Sequence, residues 1–259
     1  MKFGSFIPKG ESVVFPGRII GDLIEQLDAK SMIEVIANQG ESDAIANHPL
    51  KEVKFVAPIQ LPTKIICVGL NYREHITELG HQFPSEPVIF SKPSSAIIGP
   101  GDTIILPGAT SHVDYEGEVA IVIGKKGLNI ENPKAHIFGY TCFNDVTARD
   151  IQRISQDWTR AKGFDTFAPM GPAISTERPK WIMTHLNGKR VQHSSTSDMI
   201  FGFEELVKNI SRVMTLLPGD IIATGTPLGV GKLKENDKIS VEADGIGMLE
   251  NLVADEKST

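Results

Sequence analysis

Cysteine is scarce in this chain, and the two cysteines present are far apart in the sequence. Cys67 and Cys142 each lie in an apolar, strand-like run, "KIICVGL" and "GYTCFND", and neither has a second cysteine or a histidine at metal-ligand spacing. We therefore expect two small buried side chains and neither a disulfide framework nor a zinc site.

Long apolar runs and clusters of basic residues are also missing. No stretch approaches the roughly 20 apolar residues that a membrane-spanning helix needs, and the N-terminus lacks the apolar core and cleavage site of a secretory signal. The net charge is -6 at pH 7, with lysine and arginine scattered along the chain, so nucleic-acid binding is not indicated. We expect a cytoplasmic protein with neither a membrane nor a nucleic-acid partner.

The dominant pattern is that of short β-strands. Beyond residue 62 the chain is a series of Val- and Ile-rich runs bounded by glycine and proline. The first 58 residues differ, because two short strands precede a helical stretch expected over residues 21–40, and we place the boundary between Asn47 and Pro62. The pattern predicts a β-rich α+β protein with a small N-terminal domain at 1–58 and a main domain at 59–259, and it does not fit a doubly wound sheet.

One predicted strand, "HVDYEGEVAIVIG" at 112–124, carries several acids. Side chains two residues apart in a strand share a face, so Glu116 and Glu118 point the same way. The apolar run that follows indicates burial, where paired carboxylates are costly unless neutralised. A divalent cation would neutralise them, and oxygen ligands favour Mg²⁺, Mn²⁺ or Ca²⁺ over zinc. A solvated edge strand is the alternative. Asp145, at the end of the run "IFGYTCF", could supply a third ligand or serve as a helix N-cap.

The order of several separated segments resembles the fumarylacetoacetate hydrolase superfamily. These segments are "DYEGEVAIVIG", "GYTCFNDVTARDIQ", "WTRAKGFDTFAPMGP" and "LLPGDIIATGTPLGVG", with "CVGLNYREHITELG" and "PVIFSKPSSAIIGP" upstream. The resemblance covers roughly residues 60 to 253, and the N-terminal unit resembles the small lead domain of many members. It implies a mixed β-sandwich roll flanked by short helices, and it implies a homodimer.

The resemblance also implies a metal centre and its chemistry. In that family one divalent cation, usually Mg²⁺ or Mn²⁺, is held by two glutamates of an E-x-E strand and a later aspartate, which here are Glu116, Glu118 and Asp145. Asp114 and His112 receive no metal role. Members cleave, decarboxylate or isomerise 2-oxo acids through metal-bound enolates.

Three further residues match the family's catalytic groups. His75 and Glu78 lie three apart in "NYREHITELG" and would form a dyad in which Glu78 orients His75, and His75 activates a water or moves a proton. Without the resemblance they would be an ordinary solvated helix face. Lys162, in "RAKGFDTFAP", matches the active-site lysine and would stabilise negative charge developing on the substrate, although most lysines are simply solvated.

Three more residues match substrate contacts. Arg149 and Gln152, four and seven residues after Asp145, look like contacts to a substrate carboxylate or carbonyl. The glycine-rich "ATGTPLGVGK" is not a P-loop, because Leu233 stands where Ser or Thr is required. The resemblance implies that the Thr226 hydroxyl or nearby backbone N–H groups bind the substrate carboxylate, and a plain hairpin connection is the alternative.

The implied function is that of a metal-dependent enzyme acting on small 2-oxo or 2,4-dioxo acids. Hydrolysis of a C–C bond in acylpyruvate-type substrates is the first expectation. An oxaloacetate-type decarboxylase and a 2-hydroxyhepta-2,4-diene-1,7-dioate isomerase share the enolate and are the alternatives. Outside the enzymes, the alternative is a protein that binds 2-oxo acids without turning them over.

Overall fold

The computed structural model describes residues 1–74, 77, 82–155 and 157–256. Its strands are β1 (Lys2–Pro8), β2 (Phe15–Ile20), β3 (Leu23–Leu27), β4 (Ala44–Pro49), β5 (Val53–Val56), β6 (Ile65–Gly69), β7 (Val88–Lys92), β8 (Ile97–Ile98), β9 (Thr103–Leu106), β10 (Val113–Tyr115), β11 (Gly117–Ile123), β12 (Ile137–Asn144), β13 (Thr147–Ala148), β14 (Ala168–Ser175), β15 (Trp181–Leu186), β16 (Lys189–Ser195), β17 (Ile221–Ala223), β18 (Gly231–Lys232), β19 (Lys238–Ala243) and β20 (Gly247–Asp255). Its helices are α1 (Met32–Ala37), α2 (Arg149–Ile154), α3 (Thr159–Lys162) and α4 (Phe203–Val213). Short 3₁₀ turns lie at Leu50–Glu52, Ser94–Ala96, Pro133–His136 and Thr196–Asp198.

Most of these strands form one large sheet. Within the described residues it has 12 strands, ordered β4-β3-β2-β1-β14-β12-β11-β17-β6-β7, with β5 paired to β1 and β8 to β14. The pairing is mainly antiparallel, and β17–β6 and β8–β14 are parallel. A five-stranded sheet, β16-β15-β19-β20-β9, and a small sheet, β13-β10-β18, complete the fold. The expected β-rich α+β class is confirmed.

Strand β11 lies at the centre of the core, because it is buried on both faces. Val119, Ile121 and Ile123 pack with the five-stranded sheet and helix α4, whereas Ala120 and Val122 pack with the N-terminal strands and helix α1. Each fully buried aliphatic side chain of this size contributes roughly 1.5–3 kcal/mol. The uninterrupted apolar run in the sequence is the signature of a strand covered on both sides.

The N-terminal segment joins the large sheet. Strand β1 pairs with β14, with Phe3 opposite Ile174, and the Phe3 ring lies 5.2 Å from that of Phe138. The prediction of a helix over residues 21–40 is wrong in its first half, since Leu23–Leu27 is a strand that is hydrogen-bonded to both β2 and β4. Sheet pairing on both sides outweighs local helix propensity there. The division near residue 58 stays a prediction.

None of the helices in the described part of the chain has both the length and the apolar character needed to cross a membrane.

Candidate metal centre and active site

The acidic strand expected over residues 112–124 is broken at Glu116. The prediction of one continuous strand is wrong, since β10 and β11 belong to different sheets. At the break, the Glu116 N–H donates to Asn144 Oδ1 at 2.9 Å, and its carbonyl accepts from the Asp145 N–H at 2.8 Å. These bonds replace the inter-strand hydrogen bonds at Glu116. They place Glu116 beside the end of β12, directly before Asp145.

Three carboxylates converge at this break. One oxygen each from Glu116, Glu118 and Asp145 lies within 4.8 Å of the other two, and the three residues are only 6%, 2% and 1% exposed. Glu118 Oε2 accepts a hydrogen bond from the Gly225 N–H at 2.8 Å. Burial, together with the charges of Asp145 and Glu116, raises the pKa of the Glu118 carboxyl well above its usual range. Such an all-oxygen cluster has the donor chemistry of a hard divalent-cation site.

Lys162, at the end of helix α3, bridges two of these carboxylates. Its Nζ lies 2.7 Å from Glu116 Oε2 and 2.6 Å from Asp145 Oδ2. Burial alone would lower the pKa of the ammonium, but the charges of Asp145 and Glu116 outweigh it and raise that pKa. Lys162 is therefore a cation at neutral pH, with its charge directed at the carboxylate cluster.

Lys92, the last residue of β7, is a second buried cation at the cluster and is not among the residues that the sequence predicts for the site. Its Nζ lies 2.6 Å from Asp145 Oδ1 and donates to the Val146 carbonyl at 3.0 Å, and its side chain is 0% exposed. A lysine that ends an apolar strand run, as in "PVIFSK", is the signal that could have identified it, because a buried lysine requires a partner.

Arg149 lies on the other side of Glu116. Its Nε donates to Asp114 Oδ2 at 2.8 Å, and its terminal nitrogens donate to Glu116 and to Gln152 Oε1. Burial would raise the pKa of Glu116, but Lys162 and Arg149 lower it to about 2. The structure thus places Arg149 and Gln152 next to the carboxylate cluster, and Asp114 holds Arg149 there. Their expected contacts with a substrate stay a prediction.

The charges around the cluster are close to balanced. Four buried carboxylates, Asp114, Glu116, Glu118 and Asp145, face three cations, Lys92, Arg149 and Lys162. Among the described residues, Glu118 is the one carboxylate of the four without a cationic partner. With Glu118 ionised, as a metal ligand must be, a bound divalent cation would give the group of four carboxylates and three cations a net charge of one positive. The residues present therefore fit such an ion, and the resulting charge favours an anionic substrate.

A buried glutamine ties this segment to the loop that carries Thr226. Gln192 Oε1 accepts from the Gly117 N–H at 3.0 Å, and its Nε2 donates to Thr226 Oγ1 at 2.9 Å and to the Pro227 carbonyl at 2.8 Å. The Thr226 hydroxyl in turn donates to the Gly117 carbonyl at 2.9 Å. The sequence does not predict this role of Gln192, because nothing in "RVQHSS" distinguishes it from a surface residue of a strand.

A cavity of about 590 Å³ opens onto these groups. Its polar lining includes the carboxylate cluster, Arg149, Gln152, Lys162 and Thr226. Its apolar lining includes Phe90 and Trp158, whose rings lie 5.1 Å apart in an edge-to-face pair. Trp158 lies against Gly69, where a Cβ would be 2.6 Å from the indole ring. His75 and Glu78, the predicted dyad, lie outside the described residues.

Comparisons with known proteins agree with this architecture. A family model described as "Fumarylacetoacetate (FAA) hydrolase C-terminal" matches residues 64–254. The chain is 42% identical to the mitochondrial oxaloacetate tautomerase FAHD2B of Bos taurus over 251 residues, which cover 86% of this chain and 80% of that protein.

Two solved structures match over the whole fold. The 2-hydroxyhepta-2,4-diene-1,7-dioate isomerase from Mycobacterium marinum has a TM-score of 0.87 and 37% identity, covering 100% of both chains. The fumarylacetoacetate hydrolase of Exiguobacterium antarcticum has a TM-score of 0.89 and 36% identity, covering 99% of this chain and 100% of that one. The expected fold of the fumarylacetoacetate hydrolase type is confirmed.

Proposed function

This chain belongs to the fumarylacetoacetate hydrolase family, and from that premise we propose that it is a divalent-metal-dependent enzyme that forms the enolate of a 2-oxo acid. The observation that carries the proposal is the convergence of Glu116, Glu118 and Asp145 in a buried cluster at the base of the cavity. We propose Mg²⁺ or Mn²⁺ as the cation, since every donor is a carboxylate oxygen. When bound, the cation supplies a Lewis acid that polarises the 2-oxo group.

Lys162 has the geometry to stabilise the enolate. Its ammonium contacts Glu116 and Asp145 and lines the cavity, so a substrate oxygen beside the cluster lies within its reach. Because its pKa is raised, Lys162 donates a hydrogen bond and does not act as a base. A fixed cation directed at developing negative charge in a site screened from water lowers the barrier to enolate formation.

The polar groups that line the cavity orient the substrate. Arg149 and Gln152 project from one helix and are hydrogen-bonded to each other, so a substrate carboxylate at Arg149 meets a guanidinium whose position is already fixed. Thr226 and Val230 of the glycine-rich loop border the same space. The Thr226 hydroxyl donates its hydrogen to the Gly117 carbonyl. Thr226 can therefore bind a substrate only as a hydrogen-bond acceptor, or through the backbone of its loop.

The first candidate reaction is keto–enol interconversion of a 2-oxo dicarboxylic acid. It is supported by the 42% identity to a protein named as an oxaloacetate tautomerase and by the likeness to a named dienedioate isomerase. In this reaction His75, oriented by Glu78, would take the proton from the carbon next to the 2-oxo group, and a proton would be added to the oxygen. No C–C bond breaks and no water is consumed. The described groups supply the charge stabilisation that this proton transfer requires.

The second candidate reaction is hydrolysis of a C–C bond in an acylpyruvate. The likeness to a fumarylacetoacetate hydrolase favours it. Here His75, oriented by Glu78, would remove a proton from the water that attacks the distal carbonyl, and the enolate of pyruvate would leave. Decarboxylation of oxaloacetate would use the same enolate, with carbon dioxide as the leaving group.

A substrate panel separates these reactions. Purified protein with Mg²⁺ or Mn²⁺ is given each substrate separately. With oxaloacetate, the absorbance of the enol form and the release of pyruvate are followed. With acylpyruvates, the release of pyruvate is followed. Loss of the enol absorbance without pyruvate, faster than with the free metal, supports the tautomerase. Pyruvate from acylpyruvates that EDTA abolishes supports the hydrolase, which His75→Ala should inactivate. Binding of 2-oxo acids without turnover of any of them, in both parent and His75→Ala, would leave only a binding protein.

The homodimer that the resemblance implies is also a proposal. Sedimentation equilibrium across a tenfold range of protein concentration should give twice the 28.2 kDa chain mass, and a monomer throughout would contradict it.

A further inference from the structure

Arg153 is a cation at the cavity that the proposed chemistry does not use. It lies on helix α2 one turn beyond Arg149, about 6 Å further along the helix axis. Residues four apart on a helix share a face, and both arginines line the cavity. Unlike Arg149, Arg153 is exposed, so this part of the cavity lining is open to solvent.

Arg153 differs from the other two cations of the cavity wall in its partners. Arg149 pairs with Asp114 and Glu116, and Lys162 pairs with Glu116 and Asp145. Within the part of the chain that the structure describes, no carboxylate lies within ion-pair distance of Arg153. Its planar fork of donors is therefore available to a ligand, and a carboxylate is the group that this fork fits in a bidentate manner.

Apolar groups line the same cavity as the cluster and Arg153. Phe90 and Trp158, in edge-to-face contact, form an apolar wall, and Leu70 and Val230 also line the cavity. A ligand with its 2-oxo acid end at the carboxylate cluster would place a carbon chain along this wall, and a second anionic group would meet Arg153. A monocarboxylic acid of the same length would leave the guanidinium with water alone.

We infer that Arg153 binds the far carboxylate of a 2-oxo dicarboxylic acid and thereby selects dicarboxylic over monocarboxylic substrates. The inference rests on the proposed function, because it needs the 2-oxo acid end of the ligand to lie at Glu116, Glu118 and Asp145. Arg153 is thus a specificity residue that acts on substrate binding and leaves the enolate chemistry to the deeper groups.

Binding of matched ligands tests this without relying on turnover. 2-Oxoglutarate and 2-oxopentanoate share a five-carbon chain and differ only in the far carboxylate. Their dissociation constants are measured by calorimetry with Mg²⁺ for the parent, Arg153→Ala and Arg153→Lys. Arg160→Ala is the matched control, since Arg160 is equally exposed but does not line the cavity. Melting temperatures establish that each variant is folded.

The parent should prefer 2-oxoglutarate by roughly ten- to a hundredfold, the range for hydrogen bonds to charged groups. Arg153→Ala should remove that preference, while its affinity for 2-oxopentanoate stays within twofold of the parent. Arg153→Lys should keep part of the preference, and Arg160→Ala should keep all of it. Because Arg153 is exposed, added KCl should reduce the preference. A parent that binds both ligands equally, or an Arg153→Ala variant that still prefers the dicarboxylate, overturns the role of Arg153 alone. A parent that binds neither ligand overturns this inference, whereas the proposed function is overturned only if the substrate panel with oxaloacetate and acylpyruvates also shows no turnover.

Discussion

Gln192 joins the segment that carries the candidate metal ligands to the Thr226 loop, and its removal should be costly. Gln192→Ala deletes the acceptor for the Gly117 N–H and the donor to the Pro227 carbonyl. Both backbone groups are buried, and each buried polar group left without a partner costs about 1–3 kcal/mol. The free energy of unfolding should therefore fall by roughly 2–6 kcal/mol. The affinity for Mn²⁺ should fall as well, because Gly117 lies between Glu116 and Glu118.

Equilibrium unfolding in urea with EDTA present measures the stability change for Gln192→Ala. The control is Gln60→Ala, since Gln60 is exposed and its loss should change stability by no more than about 0.5 kcal/mol. Gln192→Glu adds a second comparison, because it keeps the acceptor for Gly117 but directs a carboxylate oxygen at the Pro227 carbonyl. A Gln192→Ala protein as stable as the Gln60→Ala protein would refute the reasoning that this hydrogen-bond network supports the site.

Three further predictions concern the charges and the packing around the cluster. Lys92→Met should lower the stability of the metal-free protein by about 3–5 kcal/mol in urea unfolding, since it breaks a buried ion pair. The control Lys54→Met removes an exposed pair and should cost less than about 1 kcal/mol, so equal losses would contradict the role given to burial. Gly117→Ala places a Cβ 2.0 Å from the Thr184 hydroxyl, so overpacking should lower the free energy of unfolding by about 1–3 kcal/mol and weaken Mn²⁺ binding. Unchanged unfolding and unchanged Mn²⁺ affinity would show that the strand break tolerates a side chain. Burial raises the pKa of Glu118, so this carboxyl holds a proton to higher pH than an exposed glutamate and must lose it when a cation binds. Mn²⁺ affinity should therefore rise with pH, and binding should release protons. Calorimetry in buffers of different ionisation enthalpy detects the released protons, and a pH-independent affinity would contradict this prediction.

Sequence patterns located the carboxylate cluster but not its local geometry. Parity along a strand correctly places Glu116 and Glu118 together, although the chain leaves the strand conformation at Glu116. That break depends on the Asn144 side chain, which is 28 residues away in sequence, and no local period encodes such a contact. Asp145 was identifiable only by its position after an apolar run and by family resemblance.

The residues that were missed are those whose roles depend on distant partners. Lys92 and Gln192 are single polar residues in strands, and their significance lies in burial and in contacts 53 and 75 residues away along the chain. The helix expected over residues 21–40 failed for the same reason, since pairing of Leu23–Leu27 with two neighbouring strands is a property of the assembled sheet. The apolar run of β11, by contrast, predicts its own burial on both faces.

The central claim, that Glu116, Glu118 and Asp145 together bind one divalent cation, is tested most directly by counting bound Mn²⁺. Electron paramagnetic resonance distinguishes free from bound Mn²⁺ in the parent, Glu118→Gln and Asp145→Asn proteins. Asp150→Asn is the control, because Asp150 instead accepts hydrogen bonds from Thr110 and Ser111. We predict one Mn²⁺ per chain in the parent and in Asp150→Asn, and an affinity lowered at least tenfold in the two ligand variants, with each protein still folded. Stoichiometric Mn²⁺ at parental affinity in both ligand variants would contradict the assignment of this metal centre.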